Sequence, residues 1–282
     1  MIRFRKKRPQ KATGGKFFTK QETKDLPPIV ELRDVHRNYE EGTRPVKALR
    51  GLNLSIDRGE MVAIMGPSGS GKTTLLNIIG LLDSPDSGIV KFAGVDLTEL
   101  KRRKVPVFRQ NEVGMIFQQK NLIPSLTAFE NVYLPFRYAR GKRAQGKEQA
   151  REALRLVDMV DRADHLPHQL SGGEKQRVAV ARALVLSPAV VLADEPTGEL
   201  DSMNSHHVMT LMDELNKRTG QTFIIVTHDQ AVADVCHRTF HMEDGKLKET
   251  VRKRPRPASG PARPAAKQPS ARRARPTGRK RK

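Results

Sequence analysis

Apolar residues fall in short runs along the middle of the chain, and each run ends in sharp punctuation. Met61–Met65 stops at a glycine-rich loop. Residues 113–117 stop at Gln118-Gln119, residues 190–193 at Asp194-Glu195-Pro196, and residues 223–226 at Thr227-His228-Asp229. Runs that are apolar throughout, rather than alternating, mark strands buried on both faces of a parallel sheet. Between them the period changes. Residues 147–160 set Ala150, Ala153, Leu154, Val157 and Val160 on one helical stripe. Helical patterns also cover residues 73–82, 171–184 and about 206–218, the last ending before Gly220, a suitable C-cap. Residues from about 121 to 170 hold helices and no convincing strand, so they read as a helical insertion. Strands separated by helices predict an α/β fold with a mainly parallel sheet. No internal repeat is visible.

Composition sharpens the boundaries. With 282 residues, 37% of them apolar, the chain can build one large domain with a sizeable core. No apolar run approaches the roughly 20 residues of a membrane span. The basic start, MIRFRKKRPQ, leads into no apolar segment, so it does not read as a secretory signal. Cys236 is the only cysteine, which excludes an internal disulfide or a CxxC metal site. A cytoplasmic protein is expected. The net charge of +21 belongs to the ends. Residues 1–26 carry nine Lys/Arg against two acids, and residues 251–282 carry thirteen Lys/Arg, six prolines and no acid. The expected division is a flexible basic extension (1–26), a nearly neutral globular domain (27–250), and a disordered tail (251–282).

The loop after Met61–Met65 carries candidate chemistry. Gly66, Pro67, Ser68, Gly69, Ser70, Gly71, Lys72 and Thr73 fit G-x-x-x-x-G-K-[ST] in full, between an expected strand and an expected helix that continues through Thr74. Glycines let backbone N–H groups converge on phosphate oxygens, and the helix N-terminus adds positive potential. Lys72 would meet the β- and γ-phosphates, and the Thr73 hydroxyl would ligate Mg²⁺. The bland reading is a Gly/Ser-rich turn entering a helix; the flanking elements favour a nucleotide.

A second feature lies at the end of the run 190–193. Asp194 and Glu195 there would face the same crevice as the phosphate loop. Asp194 suits Mg²⁺, a hard cation that takes oxygen ligands. Glu195 can orient and polarise an attacking water. Alone, the pair could be two solvated acids at a strand end.

A third feature is Leu170-Ser171-Gly172-Gly173-Glu174. Ser-x-x-Glu is a capping box, yet two glycines in a first turn weaken a helix and need a reason. They would open the free N–H groups to an anion. Followed by Lys175-Gln176-Arg177, this segment resembles the signature of ABC ATPases. The resemblance covers about residues 29–248 and implies a P-loop NTPase core, a small antiparallel β subdomain and an inserted α-helical subdomain at about 119–170. It implies ATP and Mg²⁺ as ligands, with Ser171, Gly172, Gly173 and Glu174 meeting ATP held by a second copy of the chain. It further implies that Tyr39 stacks on adenine and that Gln118 touches Mg²⁺ and senses a membrane partner. Asp201 would act at the dimer seam and His228 at the γ-phosphate. Catalysis would then rest on Glu195, His228, Gln118 and Lys72, and the metal on Thr73, Gln118 and Asp194. Ser171 would cap its helix in an open state and turn to phosphate in a closed one.

Further runs narrow the resemblance: residues 65–77 leading into Gly80-Leu81-Leu82-Asp83, then 126–132, then Thr197-Gly198. They are similar to the branch serving lipoprotein release, macrolide export and cell division. That implies a separate integral membrane, permease-like subunit on the cytoplasmic face of the inner membrane. The alternatives are an ATP-gated regulator of a cell-division or cell-wall partner that transports nothing and, ranked lower, a soluble nucleic-acid-associated ABC ATPase. The basic ends make anionic lipid a candidate partner. Nucleic acid is not expected, since no aromatics are interleaved to stack on bases.

Overall fold

The computed structural model describes residues 26–41, 44–139 and 143–252. Nearly all of the basic extension and of the basic tail therefore lies outside the described residues. The elements run β1 (Val30–Glu41), β2 (Arg44–Ile56), β3 (Met61–Met65), α1 (Lys72–Ile79), β4 (Ser87–Phe92), β5 (Val95–Asp96), α2 (Val105–Glu112) and β6 (Val113–Ile116). They continue α3 (Ala128–Tyr138), α4 (Arg143–Leu156), α5 (Gly172–Leu184), β7 (Val190–Asp194), α6 (Ser202–Thr219), β8 (Thr222–Val226), α7 (Gln230–Val235), β9 (Arg238–Glu243) and β10 (Lys246–Arg252).

Six strands form one sheet in the order β10-β9-β3-β8-β7-β6. Its interior pairings are parallel, and β10 closes one edge antiparallel to β9. The four other strands form an antiparallel sheet, β2-β1-β4-β5. The fold is the expected α/β arrangement with a mainly parallel core.

Alternation along the central strands explains why they read as unbroken apolar runs. Met61 and Ala63 of β3, Phe223 and Ile225 of β8, and Val191 and Ala193 of β7 bury in a core shared with α3 to α6. Their neighbours Val62, Ile64, Ile224, Val226, Val190 and Leu192 bury in a second core shared with α1 and the antiparallel sheet. Both faces are covered, so polar residues are confined to the strand ends, at Thr222 and Asp194. Arg238 on β9 helps to join the sheets: it donates to Ser55 O on β2 (2.8 Å) and pairs with Glu60 and Glu249.

Three expected helices shift. The one predicted over residues 147–160 is α4 and ends at Leu156. Asp158 takes a left-handed φ of +54°, which turns the chain and leaves Val160 exposed. The helix expected from 206 begins at Ser202, because the Asp201 carboxylate accepts from Asn204 N (2.8 Å) and caps it; Gly220 (φ +66°) ends it. The helix after the phosphate loop ends at Ile79 rather than 82, with Leu81 at φ +58°. Among the described residues no helix is long and apolar enough to cross a membrane.

Candidate functional site

The parallel strands β3, β7 and β8 point their C-terminal ends into one crevice, and three motifs leave from there. The loop between β3 and α1 is held close to the backbone on both flanks. A Cβ on Gly66 would lie 2.1 Å from Met242 O, and one on Gly71 2.4 Å from Ala48 O. Their φ values of +152° and +105° also suit only glycine. Lys72 Nζ donates to Gly66 O (2.8 Å) and Pro67 O (2.7 Å), closing the loop over itself. The hydroxyl of Ser70 is buried and has no hydrogen-bond partner among the described residues. Pro67, Ser68 and Gly69 at the rim and Thr73 at the start of α1 are exposed; Thr74 is half-buried.

The β7 carboxylates converge with the residue after β8. Asp194 lies in register with Val226, and Glu195 N donates to Val226 O (2.9 Å). Glu195 takes a left-handed φ of +46°, an uncommon conformation for a non-glycine residue and one that clusters at functional positions. That turn brings its Oε1 to 2.8 Å from His228 Nδ1. Glu195 is largely buried at 16% exposure, while His228 stands out at 72%. The bond to Glu195, then its charge, raises the His228 pKa above the ordinary imidazole value. Burial, then the Glu195 charge, raises Asp194 above the usual carboxylate range, with Lys72 opposing. Gln118 follows β6 at the same end, and its Nε2 would lie 3.3 Å from a Cβ on Gly198, a position that also adjoins Glu195. Lys72, Asp194, Glu195, His228 and Gln118 thus gather into one cluster.

This cluster fits a hard divalent cation. Asp194, whose charge is disfavoured by burial, lies beside Glu195, and the Thr73 hydroxyl and Gln118 amide add neutral oxygens. Among the described residues no group of three or more His, Cys, Asp or Glu could hold a metal. The cation would accordingly share its coordination with phosphate and water oxygens.

The Ser171 turn is built elsewhere, at the head of α5. Glu174 N donates to Ser171 Oγ (3.2 Å) and Ser171 N donates to Glu174 Oε2 (2.8 Å), so the capping box is complete. That is the capped half of the expectation for Ser171. Its glycines have an intrachain reason that the sequence did not show. A Cβ on Gly173 would lie 2.3 Å from Asn204 Oδ1, and one on Gly172 3.3 Å from Leu200. Asp201 is exposed, and its carboxylate binds both the N–H and the amide of Asn204. Tyr39 is on β1 and donates its hydroxyl to Asp83 (2.6 Å). Arg37 and Asp83, which surround Tyr39, had been given no role. The available signal was Arg37 at i−2 on the same strand.

Residues 49–198 match the ABC transporter family. The chain is 48% identical over 204 residues to the lipoprotein-releasing system ATP-binding protein LolD of Bacteroides thetaiotaomicron, covering 72% of this chain and 94% of that one. To the LolD of Bordetella pertussis it is 45% identical over 226 residues, 80% of this chain and 98% of that one. The macrolide export ATP-binding/permease protein MacB of Chlorobium phaeobacteroides is 47% identical over 226 residues, 80% of this chain but 34% of that protein. Among solved structures, a dimeric post-hydrolysis state of the ATP-binding cassette MJ0796 bound to ADP and Pi superposes with a TM-score of 0.73 at 42% identity, covering 80% of this chain and all of that one.

Proposed function

The chain belongs to the ABC transporter family, as an ATP-hydrolysing subunit of the lipoprotein-release and macrolide-export branch, and from that premise we propose that two copies close on two ATP molecules to drive lipoprotein release through a separate membrane subunit. The observation that carries the catalytic part is the meeting of Glu195 and His228 beside the phosphate loop. The lipoprotein part is supported by the near full-length match to LolD proteins, whereas the MacB match covers a third of a larger protein. Those names favour release or export over the cell-division regulator.

In this reading residues 66–74 and Tyr39 hold one ATP, and Ser171, Gly172, Gly173 and Glu174 of the other copy cap its γ-phosphate. Mg²⁺, held by Thr73, Asp194 and Gln118, would neutralise phosphate charge. Glu195, fixed by its left-handed turn, orients a water for in-line attack. His228 holds Glu195 in place and reaches the γ-phosphate. Lys72 exchanges its bonds to Gly66 O and Pro67 O for phosphate oxygens. Asp201 stands at the seam between copies. Closure follows because the γ-phosphate adds contacts that exist only when both halves meet.

The ATPase domain spans residues 27–250, with residues 119–170 as the groove for the permease-like subunit at the cytoplasmic face of the inner membrane. The basic ends add attraction to anionic lipid, which vesicle binding with and without residues 251–282 would test. For the catalytic role, Glu195→Gln should keep ATP binding, lower turnover about 10²-fold or more, and trap an ATP-bound dimer seen by light scattering. Normal hydrolysis by that variant would remove Glu195 from its part.

A further inference from the structure

Tyr39 does not stand free on its strand. The Asp83 carboxylate that accepts its hydroxyl also takes two bonds from Arg37, Nε to Oδ2 (3.0 Å) and Nη2 to Oδ1 (2.9 Å). Both of these charged side chains are only 23% exposed. Arg37 reaches Asp86 with Nη1 (2.6 Å), and Asp86 accepts the backbone N–H of Asn38 (2.7 Å). The guanidinium carbon of Arg37 lies 4.7 Å from the centroid of the Tyr39 ring. One ring face is therefore covered by a cation, the hydroxyl is anchored, and the opposite face is the one left for a planar ligand. Asp83 is in turn tied to the helix that starts at the phosphate loop: the N–H groups of Leu82 and Asp83 both donate to Asn77 O (2.8 and 3.2 Å) on α1. A continuous run of bonds joins the ring to the element that carries the phosphate cradle.

We propose that Asp83 and Arg37 are positioning residues that fix the plane of Tyr39, so that an aromatic base stacks at a set offset from the phosphates. They act on recognition of the base without touching the nucleotide. This rests on Tyr39 being the base platform. Stacking depends on ring offset and tilt, so a ring free to swing gives up part of the contact. The pair should matter for ligands that have a base and be irrelevant to those that lack one.

The test is titration calorimetry on the full chain with ATP and with inorganic tripolyphosphate. Asp83→Asn keeps the shape and removes the charge; Tyr39→Phe keeps the ring and removes the anchored hydroxyl. Each should weaken ATP binding roughly five-fold, the part of the stacking contact that a loosened ring gives up. The double variant should be no weaker than either single one, because both cut the same link. Tripolyphosphate affinity should stay unchanged in all three. Unchanged ATP binding in Asp83→Asn, or equal losses for both ligands, overturns the proposal. If Asp83→Asn fails to fold, Tyr39→Phe decides alone. Tyr39→Ala separates the layers: unchanged ATP affinity there sinks the base platform itself. A loss there, with Asp83→Asn unaffected, sinks only the positioning pair.

Discussion

The chain carries two turns suited to phosphate, and they are made in opposite ways. At residues 66–73 the backbone is trapped by other backbone: Gly66 and Gly71 sit against the carbonyls of Met242 and Ala48. At the head of α5 the glycines sit against side chains, Asn204 and Leu200, and the free end of the helix is closed by its own Ser171 and Glu174. The first turn is a fixed cradle. The second is closed by its own helix cap, which would have to open to admit a ligand; in the first only the Lys72 side chain would have to leave Gly66 O and Pro67 O. A helix N-terminus that caps itself is a natural gate, because ligand binding there competes with about 1 kcal/mol of capping.

The largest test of this contrast compares glycine with alanine in each turn. Gly66→Ala would drive a Cβ into Met242 O, an immovable backbone atom, at a φ that alanine avoids. We expect a cost above about 4 kcal/mol and loss of the folded protein or of ATP binding, read by calorimetric melting. Gly173→Ala meets a side chain rather than backbone, Asn204 with Oδ1 at 2.3 Å, Cγ at 2.9 Å and Cβ at 3.3 Å, and alanine favours the helix by about 1 kcal/mol. It should cost no more than about 2 kcal/mol, and adding Asn204→Ala should restore most of it. Equal, unrescued losses at both sites would erase the distinction.

Ser171→Arg comes next. It should block ATP-driven dimerisation in the Glu195→Gln background while single copies still bind ATP within about two-fold, since the cradle is elsewhere. Dimerisation at normal ATP concentrations would refute the shared site. Ser171→Ala is milder, about 1 kcal/mol from the lost cap, or roughly 2–4 °C in Tm. The capped turn and the Glu195–His228 pair should also fail at opposite ends of the pH range. Glu174 is held below its ordinary pKa, first by the Ser171 N–H. Its contribution is present above the unfolded value of 4.5 and is lost as pH falls through the folded one. His228 is raised, so its bond to Glu195 contributes fully below pH 6.5 and is lost as pH rises through the higher folded value. Melting of Glu174→Gln should therefore differ from wild type at pH 7 and converge in acid. His228→Gln should differ at pH 6 and converge with wild type as pH rises past the raised folded-state value.

The same contrast explains what could be read from sequence. The cradle and its strands were legible because their residues are contiguous and both sheet faces are buried. The antiparallel sheet was not legible in the hydrophobic pattern and was expected only through the family resemblance. Glu31, Arg33, Asp34 and His36 interrupt β1 with charge, and register shifts between Leu32 and Asn38 break the period-2 pattern. Asp201 drew a role at the dimer seam from resemblance, yet its carboxylate also starts α6 four residues earlier than periodicity placed it. The link from Tyr39 to Asp83 joins residues 44 apart, and no local spacing announces it.

The smallest expected effect concerns how the two turns communicate within one chain. Lys120, two residues after Gln118, pairs with Glu199, which precedes the Leu200 and Asn204 that pack on the glycines of α5. From behind, Arg182 on α5 donates to Lys120 O (2.8 Å) and Asn121 O (2.6 Å). The strap therefore joins the loop after β6, the loop after β7 and the helix behind the second turn. Lys120 is 14% exposed but Glu199 is 42%, so solvent screens the pair and its worth should be about 0.5 kcal/mol. A double-mutant cycle with Lys120→Met and Glu199→Gln, followed by melting, should give a coupling of that size that shrinks in 1 M salt. Run on ATP-driven dimerisation, the same cycle asks a sharper question. If the turns move as one body, the coupling should exceed its value in stability, because closure loads both loops at once. If it falls to zero, the cradle and the gate answer to ATP independently, and any concert between them has to come from outside the chain.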